Sequence, residues 1–440
     1  MLSLLVRPLP ARLREATQRL PQVARRRRRG PFGGVRIMGK CDAGGGRSRL
    51  PSDNTGQHGR RREVQRAAGA CMSAARLEET AAFPFIEVSG TPRNVGLQYG
   101  RKAAGRIHRS IELYRRIFAA KGIDWTLARA TAAGFARRIE QAYPRIAEEM
   151  RALAEGADVP FEDIIAINSR AELLHGSFGK ARTEADDIDG CTGAVVLPPT
   201  TREGHLVHAQ NWDWRDECAE SSIVLKIAPE AGPAMLVFAE AGVMAAAGFN
   251  NTGLAITTNH LECEQDGKRE GVPSAIVCRQ VLAQSSFGGA IETVLKSERG
   301  FSTNFMISHR EGEAIDLEAT PDEVFWLTPE DDVLVHANHF VSAPARALVR
   351  DLSLLTSADS LYRDKRVRRY LVRDRGRVTL STVQAALQDR FGAPRAVCRA
   401  PEAGKSSSTV ATVIMDTTAQ IMWVSPRPYG PHKFTEYRLP

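Results

Sequence analysis

The stretch Asp187-Ile188-Asp189-Gly190-Cys191-Thr192-Gly193-Ala194-Val195-Val196 joins an acidic segment to an apolar run. A cysteine inside a buried strand ordinarily has apolar neighbours on both sides. Cys191 instead follows Asp186, Asp187 and Asp189 and precedes Val195, Val196 and Leu197. If the Gly190–Cys191 peptide were cut, Cys191 would become a chain start, with an α-amine of pKa about 7.7–8.0 beside a thiol of about 8.5. One residue would then hold both a nucleophile and a base near neutral pH. Glycine at 190 suits a strained scissile peptide, because it adopts unusual dihedrals cheaply. By itself Gly-Cys-Thr fits a cysteine buried at a strand start equally well. A second landmark is Gln210-Asn211-Trp212-Asp213-Trp214, where two tryptophans flank an aspartate. They could hold the Asp213 carboxylate in a low-polarity site beside an amine, or they could end an aromatic strand with a solvated acid.

The elements that must position these residues change character at Cys191. Before it, Ile86 and Val88 mark a short strand, and Gly90-Thr91-Pro92 opens a helix over 92–119, with Thr91 as cap and Pro92 at its first position. Apolar spacings of three and four predict helices over 126–154 and 161–174. After Cys191, short apolar segments alternate with turns: 193–198, 205–211, 222–228, 234–240, 253–259, 304–309, 313–318, 324–328 and 333–337. Helices return at 273–297, 343–373 and 380–391, and a hairpin pairs 410–416 with 420–425. The fold class is α+β, in one domain over 83–440.

Residues 1–82 form a separate, arginine-rich extension that is expected to be disordered. Arg25 to Arg29 and Arg60, Arg61 and Arg62 stand against only Glu15, Asp42, Asp53 and Glu63 before Met72. The extension has the composition of a transit peptide, but the preferred expectation is that the assigned start lies too far upstream and Met72 begins the native protein. The formal charge of +9 is concentrated there. Beyond Met72 the signs nearly balance, which argues against a nucleic-acid partner. No apolar run nears the roughly 18 residues of a membrane span. The seven cysteines are odd in number and scattered, without a Cys-x-x-Cys pair. A reducing, cytoplasmic setting follows, with no structural disulfide or zinc–cysteine site expected.

In order along the chain stand Gly90-Thr91-Pro92 with Gly96 and Tyr99-Gly100, then Asn168-Ser169-Arg170-Ala171-Glu172, Asp189-Gly190-Cys191-Thr192 and Gln210-Asn211-Trp212-Asp213. Glu240-Ala241-Gly242, Gly248-Phe249-Asn250 with Gly253, and Gly271-Val272-Pro273-Ser274 follow. Val335-His336-Ala337-Asn338-His339 and Cys398-Arg399-Ala400 with Gly404-Lys405-Ser406 complete the series. In these pieces the chain resembles the acyl-coenzyme A:isopenicillin-N acyltransferase-like family of N-terminal nucleophile hydrolases, over about residues 85–435. The resemblance implies a four-layer αββα sandwich and a precursor that cuts itself between Gly190 and Cys191 into two chains that remain associated. It implies Cys191 as nucleophile, Asp213 as the aspartate beside it and Asn338 as an oxyanion-hole amide. It implies no cofactor, and admits acyl-coenzyme A as an acyl donor. One departure bears on substrate: the penicillin-forming relative has an arginine after its Gly-Lys-Ser, and here serines occupy 406–408. Substrate identity is therefore not carried over.

Other candidates read more plainly. His205 with His208, and His336 with His339, invite a metal, but residues three apart in a strand face opposite sides. Packing and local hydrogen bonding explain them. Asn259, at a strand end, is a turn amide or a pocket residue. Arg363, Lys365, Arg366, Arg368 and Arg369 read as a solvated helix face, with phosphate binding as the sharper alternative. Three function classes stay open: an acyltransferase and amidohydrolase, a hydrolase of N-acyl amino acids or peptides without transferase activity, and a binding protein on a retired catalytic scaffold.

Overall fold

The computed structural model describes residues 82–177, 190–402, 407–431 and 433–439. Residues 1–81 of the expected N-terminal extension, the acidic run before Gly190 and the segment 403–406 lie outside the described residues. Along the chain the strands are β1 Phe85–Gly90, β2 Gly190–Val196, β3 Val207–Arg215, β4 Ser222–Pro229, β5 Met235–Glu240, β6 Ala247–Asn250 and β7 Leu254–His260. They continue with β8 Thr303–His309, β9 Glu313–Ala319, β10 Val324–Leu327, β11 Val333–His336, β12 Ser407–Asp416, β13 Ile421–Pro426 and β14 Thr435–Arg438. The main helices are α1 Pro92–Ala120, α2 Trp125–Ala142, α3 Pro144–Ala157, α4 Phe161–Asn168, α5 Ser274–Leu282, α6 Phe287–Lys296, α7 Ala343–Leu348, α8 Ser360–Arg373 and α9 Leu380–Leu387.

The strands form two sheets, one ordered β1-β4-β5-β6-β7-β8-β9-β10 and the other β11-β2-β3-β12-β13-β14. They face each other through β2 and β3 against β7, and through β11 against β9. Helices α1, α5 and α6 cover the outer face of the first sheet, and α8 and α9 cover the second. The result is the expected α+β fold in four layers, αββα. No helix among the described residues is long and apolar enough to cross a membrane.

Local chemistry explains where the expected boundaries hold and where they move. Thr91 caps α1 by accepting from the Asn94 N–H at 3.1 Å, with Pro92 in the first turn. The helix expected over 126–154 is broken at Tyr143, because Pro144 has no N–H to continue the ladder and starts α3 instead. The helix expected over 273–297 divides where Ser286 caps α6 through the Gly289 N–H. The one expected over 343–373 divides into α7, a 3-10 turn at Ser353–Leu355 and α8. The helix expected over 161–174 ends at Asn168 and gives way to shorter helical turns up to Ser177. Strands β6, Ala-Gly-Phe-Asn, and β14, Thr-Glu-Tyr-Arg, escaped the sequence reading because each short segment holds a single large apolar or aromatic side chain. Helices α1 and α3 pack backbone to backbone at Gly96, where a Cβ would lie 2.1 Å from the Glu149 carbonyl oxygen. Glycine at that position lets the helical layer close.

Candidate active site

Strand β2 begins at the residue pair in question. Gly190 pairs with Asp213 and Cys191 with Trp212 across the antiparallel β2–β3 ladder. The glycine-cysteine peptide is therefore the first link of a central strand, and the ladder brings Asp213 beside it. Glycine is needed there for space: a Cβ would stand 2.7 Å from Arg399 Nη2 and 3.0 Å from Asp213 Oδ2.

Cys191 is buried and lines a cleft. Its N–H donates to Asn338 Oδ1 at 2.7 Å, so the sequence-expected Cys191 and Asn338 are in direct contact. Asn338 comes from the loop after β11, which pairs with β2 in antiparallel register. The Asn338 backbone N–H donates to Ser360 Oγ at 2.7 Å, and its Nδ2 donates to the His260 carbonyl at 3.0 Å. In this uncut chain the asparagine thus presents its amide oxygen, not its NH2 group, to Cys191. Ser360 Oγ also meets His339 Nδ1 at 2.7 Å. Burial, with His336 and Arg363 nearby, lowers the His339 ring to about 4, so it is neutral and can accept that hydroxyl proton.

Asp213 is fully buried. Thr409 Oγ1 donates to its Oδ1 at 2.6 Å, and Arg399 Nε lies 3.1 Å from Oδ2. Burial pushes the carboxyl up to about 6, while Arg399, Arg363 and the Thr409 hydroxyl pull it down. The upward direction prevails because a carboxylate in the interior loses its hydration. Asp213 is therefore no solvated acid at a strand end.

Sequence reasoning missed three charged partners. Arg363, read as part of a solvated face, is fully buried and reaches the Cys191 carbonyl at 2.6 Å. Arg399, present in a matched motif without a role, spans Asp213 and Asp359. Burial would raise Asp359, but Arg363 and Arg399 hold it below the ordinary carboxylate range. Arg363 shares the buried face of α8 with Val367 and Leu371, while Arg366 is half-buried and Arg369 exposed. Ser408, the last of the serines at 406–408, donates to Asp216 Oδ1 at 2.5 Å. Two guanidinium groups, those of Arg363 and Arg399, stand beside Cys191 and Gly190.

The cleft at Cys191 has an empty volume of about 830 Å³. Trp212, Trp214, Ala245, Ala246, Ala275 and Phe301 give it apolar walls, and Arg170, Glu172, His175, Asn259 and His260 bring polar groups. Asn259 does face the pocket, fixed by donating to Asn304 Oδ1 at 2.9 Å and accepting from Gln210 at 3.0 Å. Arg170 pairs with buried Glu240 at 2.8 Å, and Tyr114 donates to the same carboxylate while accepting from Trp214 Nε1 at 2.8 Å. Asn168 ties the neighbouring Gly242 carbonyl and Met244 N–H, at 2.8 and 2.9 Å. The motifs at 168–172 and 240–242 thus form one wall. The histidine pairs settle into local bonding: His208 lies between Ser308 and Thr257, and His336 meets Glu318 at 3.0 Å.

The family described as acyl-coenzyme A:6-aminopenicillanic acid acyl-transferase matches residues 200–427, a span that begins after Cys191. The acyl-coenzyme A:6-aminopenicillanic-acid-acyltransferase 40 kDa form of Emericella nidulans is 27% identical over 338 residues, covering 75% of this chain and 89% of that protein. Among solved structures, a mutant of conjugated bile acid hydrolase from Clostridium perfringens aligns with a TM-score of 0.42 and 16% identity, over 57% of this chain and 92% of that one. Penicillin V acylase from Agrobacterium tumefaciens aligns with a TM-score of 0.38 and 13% identity, over 57% and 86%.

Proposed function

Because the chain belongs to the acyl-coenzyme A:6-aminopenicillanic acid acyltransferase family, we propose that it is a self-processing cysteine acyltransferase or amidohydrolase of the N-terminal nucleophile type. One observation carries this reading: Cys191 opens a central strand at the foot of a cleft, with its nitrogen held by Asn338 Oδ1 at 2.7 Å. That nitrogen is the atom a cut at Gly190 would release as an amine, in contact with an acceptor that can orient it.

The proposed chemistry has two stages. In maturation the Cys191 thiolate adds to the Gly190 carbonyl, the C–N bond breaks as the nitrogen takes a proton, and water opens the thioester. In turnover the free α-amine takes the thiol proton, and the thiolate attacks an amide or thioester carbonyl in the cleft. Asn338 Nδ2, which here donates to the His260 carbonyl, is the candidate oxyanion donor together with backbone N–H groups. Asp213 sits where it can hold and tune the amine. The acyl-cysteine is resolved by water in a hydrolase or by an amine in a transferase. No cofactor enters these steps, and acyl-coenzyme A serves as a donor when the acceptor is an amine.

The two chains would stay together after the cut, because β1 pairs with β4 and the α1–α3 layer packs on the sheet. The cytoplasmic setting is proposed from the sequence, whose scattered cysteines include no Cys-x-x-Cys pair. Acceptor competition tests the transfer step. With a thioester donor, an added amine should divert product from acid to amide in a transferase. Acid as sole product at saturating amine would leave the hydrolase reading.

A further inference from the structure

Arg363 is the most heavily bonded side chain at the site, and neither the resemblance nor the site roles proposed above use it. We propose that Arg363 is the positioning residue that sets the geometry of Cys191, through its carbonyl and through Asn338, both for self-cleavage and for turnover. This inference rests on the self-processing reading given above.

A guanidinium has five N–H donors in a fixed plane. Among the described residues Arg363 finds an acceptor for each of them. Nη1 donates to the Cys191 carbonyl at 2.6 Å and Thr192 Oγ1 at 2.8 Å, and Nη2 to Asn338 Oδ1 at 2.7 Å and Ser357 Oγ at 3.2 Å. Nε donates to Asp359 Oδ2 at 2.7 Å. Asp359 is held in turn by Arg399, which reaches Asp213. The plane of one side chain is thereby locked, and it brackets Cys191 from the carbonyl side and from the nitrogen side.

Two consequences follow. Asn338 Oδ1 receives two donors, the Cys191 N–H and Arg363 Nη2, while Nδ2 faces the His260 carbonyl. Flipping that amide would set its NH2 group against two donors, so Arg363 fixes the oxygen toward the Cys191 nitrogen. That nitrogen is the leaving group of self-cleavage: as the Gly190 C–N bond breaks, it keeps its hydrogen bond to Asn338 and takes the proton given up by the thiol. Holding the Cys191 carbonyl also fixes the residue's backbone, and hence the direction in which Sγ leaves Cα. Lysine cannot replace this arrangement, because its three donors radiate from one atom.

The second consequence concerns charge. The new amine would be surrounded by Arg363 and Asp359 at the start of α8, Asp213 on β3, Arg399 ahead of β12, His339 after β11 and His260 at the end of β7. Removing the positive charge of Arg363 leaves the two carboxylates facing one arginine. The protonated amine is then favoured, and the acid limb of the rate profile moves to higher pH.

Arg363→Lys and Arg363→Gln separate the two effects. Intact-mass time courses read self-cleavage, and pH–rate profiles of the processed protein read turnover. Both variants should cut and turn over roughly a hundredfold more slowly, as a misplaced reacting group does. The Gln variant should also move its acid limb upward, by on the order of one pH unit, while the Lys variant keeps the wild-type limb. Thr192→Val, which removes a single acceptor of Nη1, is the milder variant if both substitutions at 363 prevent folding, and it should slow cutting severalfold. Wild-type rates with an unchanged profile in the Gln variant would overturn the proposal. So would wild-type cutting in the Thr192 variant, where that alone can be made. If the wild-type protein itself is not cut before Cys191, the underlying reading fails instead.

Discussion

Strand β2 meets two different environments within seven residues. At its far end Val195 packs with Leu206, Met306, Ala314 and Leu334, and Val196 packs with Val333, Val367 and Ile414. These contacts are apolar on both faces and lie deep in the interior. At its near end Gly190 and Cys191 are equally enclosed, yet their neighbours are Asn338, Arg363, Arg399, Asp359 and Asp213. Burying that many polar groups costs free energy unless each finds a partner, and the hydrogen bonds around Arg363 show most of that cost being met. The far end is built for cohesion, and the near end holds a few atoms in one arrangement.

Substitutions at the two ends should therefore fail in different ways. The largest effect is expected from Cys191→Ala, which should leave a single uncut, folded chain without measurable turnover. Cys191→Ser should cut partially and lose at least about a hundredfold in kcat, since an alcohol is far harder to deprotonate than a thiol. Intact mass and steady-state kinetics read both. At the far end Leu334→Ala should cost about 2–5 kcal/mol in urea unfolding, by loss of burial and creation of a cavity, while kcat of the folded protein stays unchanged. A collapse of kcat in folded Leu334→Ala would erase the contrast between the two ends. The smallest effect is expected from Thr409→Val. It removes the hydroxyl that donates to Asp213 Oδ1 at 2.6 Å, and a donor to the carboxylate favours its charged form. The Asp213 carboxyl should therefore titrate above its value of about 6, by on the order of one unit or less. A carboxyl-carbon NMR titration reads the midpoint, and a downward shift would contradict the assignment of that hydrogen bond.

The same contrast explains what the sequence made legible. The far end of β2 and its sheet partners announced themselves as short apolar segments between turns, since cohesion requires only apolar side chains at the right period. Cys191, Asp213 and Asn338 could be nominated from the sequence because their motifs resemble a known family. Arg363, Arg399 and Asp359 were not, because their roles depend on where a helix and a loop far along the chain are docked. A basic run on a helix looks the same in sequence whether one arginine points inward or all point out. At Gly190 the structure adds a constraint of space, the Arg399 guanidinium above its α-carbon, a contact that no local pattern encodes. The unbroken helices expected over 126–154 and 273–297 failed where a proline or a serine cap outweighed apolar periodicity.

The central claim is that Cys191 becomes a chain start and acts from there. N-terminal sequencing with intact-mass measurement of freshly purified wild-type protein tests it most directly. The account predicts two associated fragments, the second beginning with Cys191 and carrying a free α-amine. A single uncut chain that turns over substrate at full rate would contradict it.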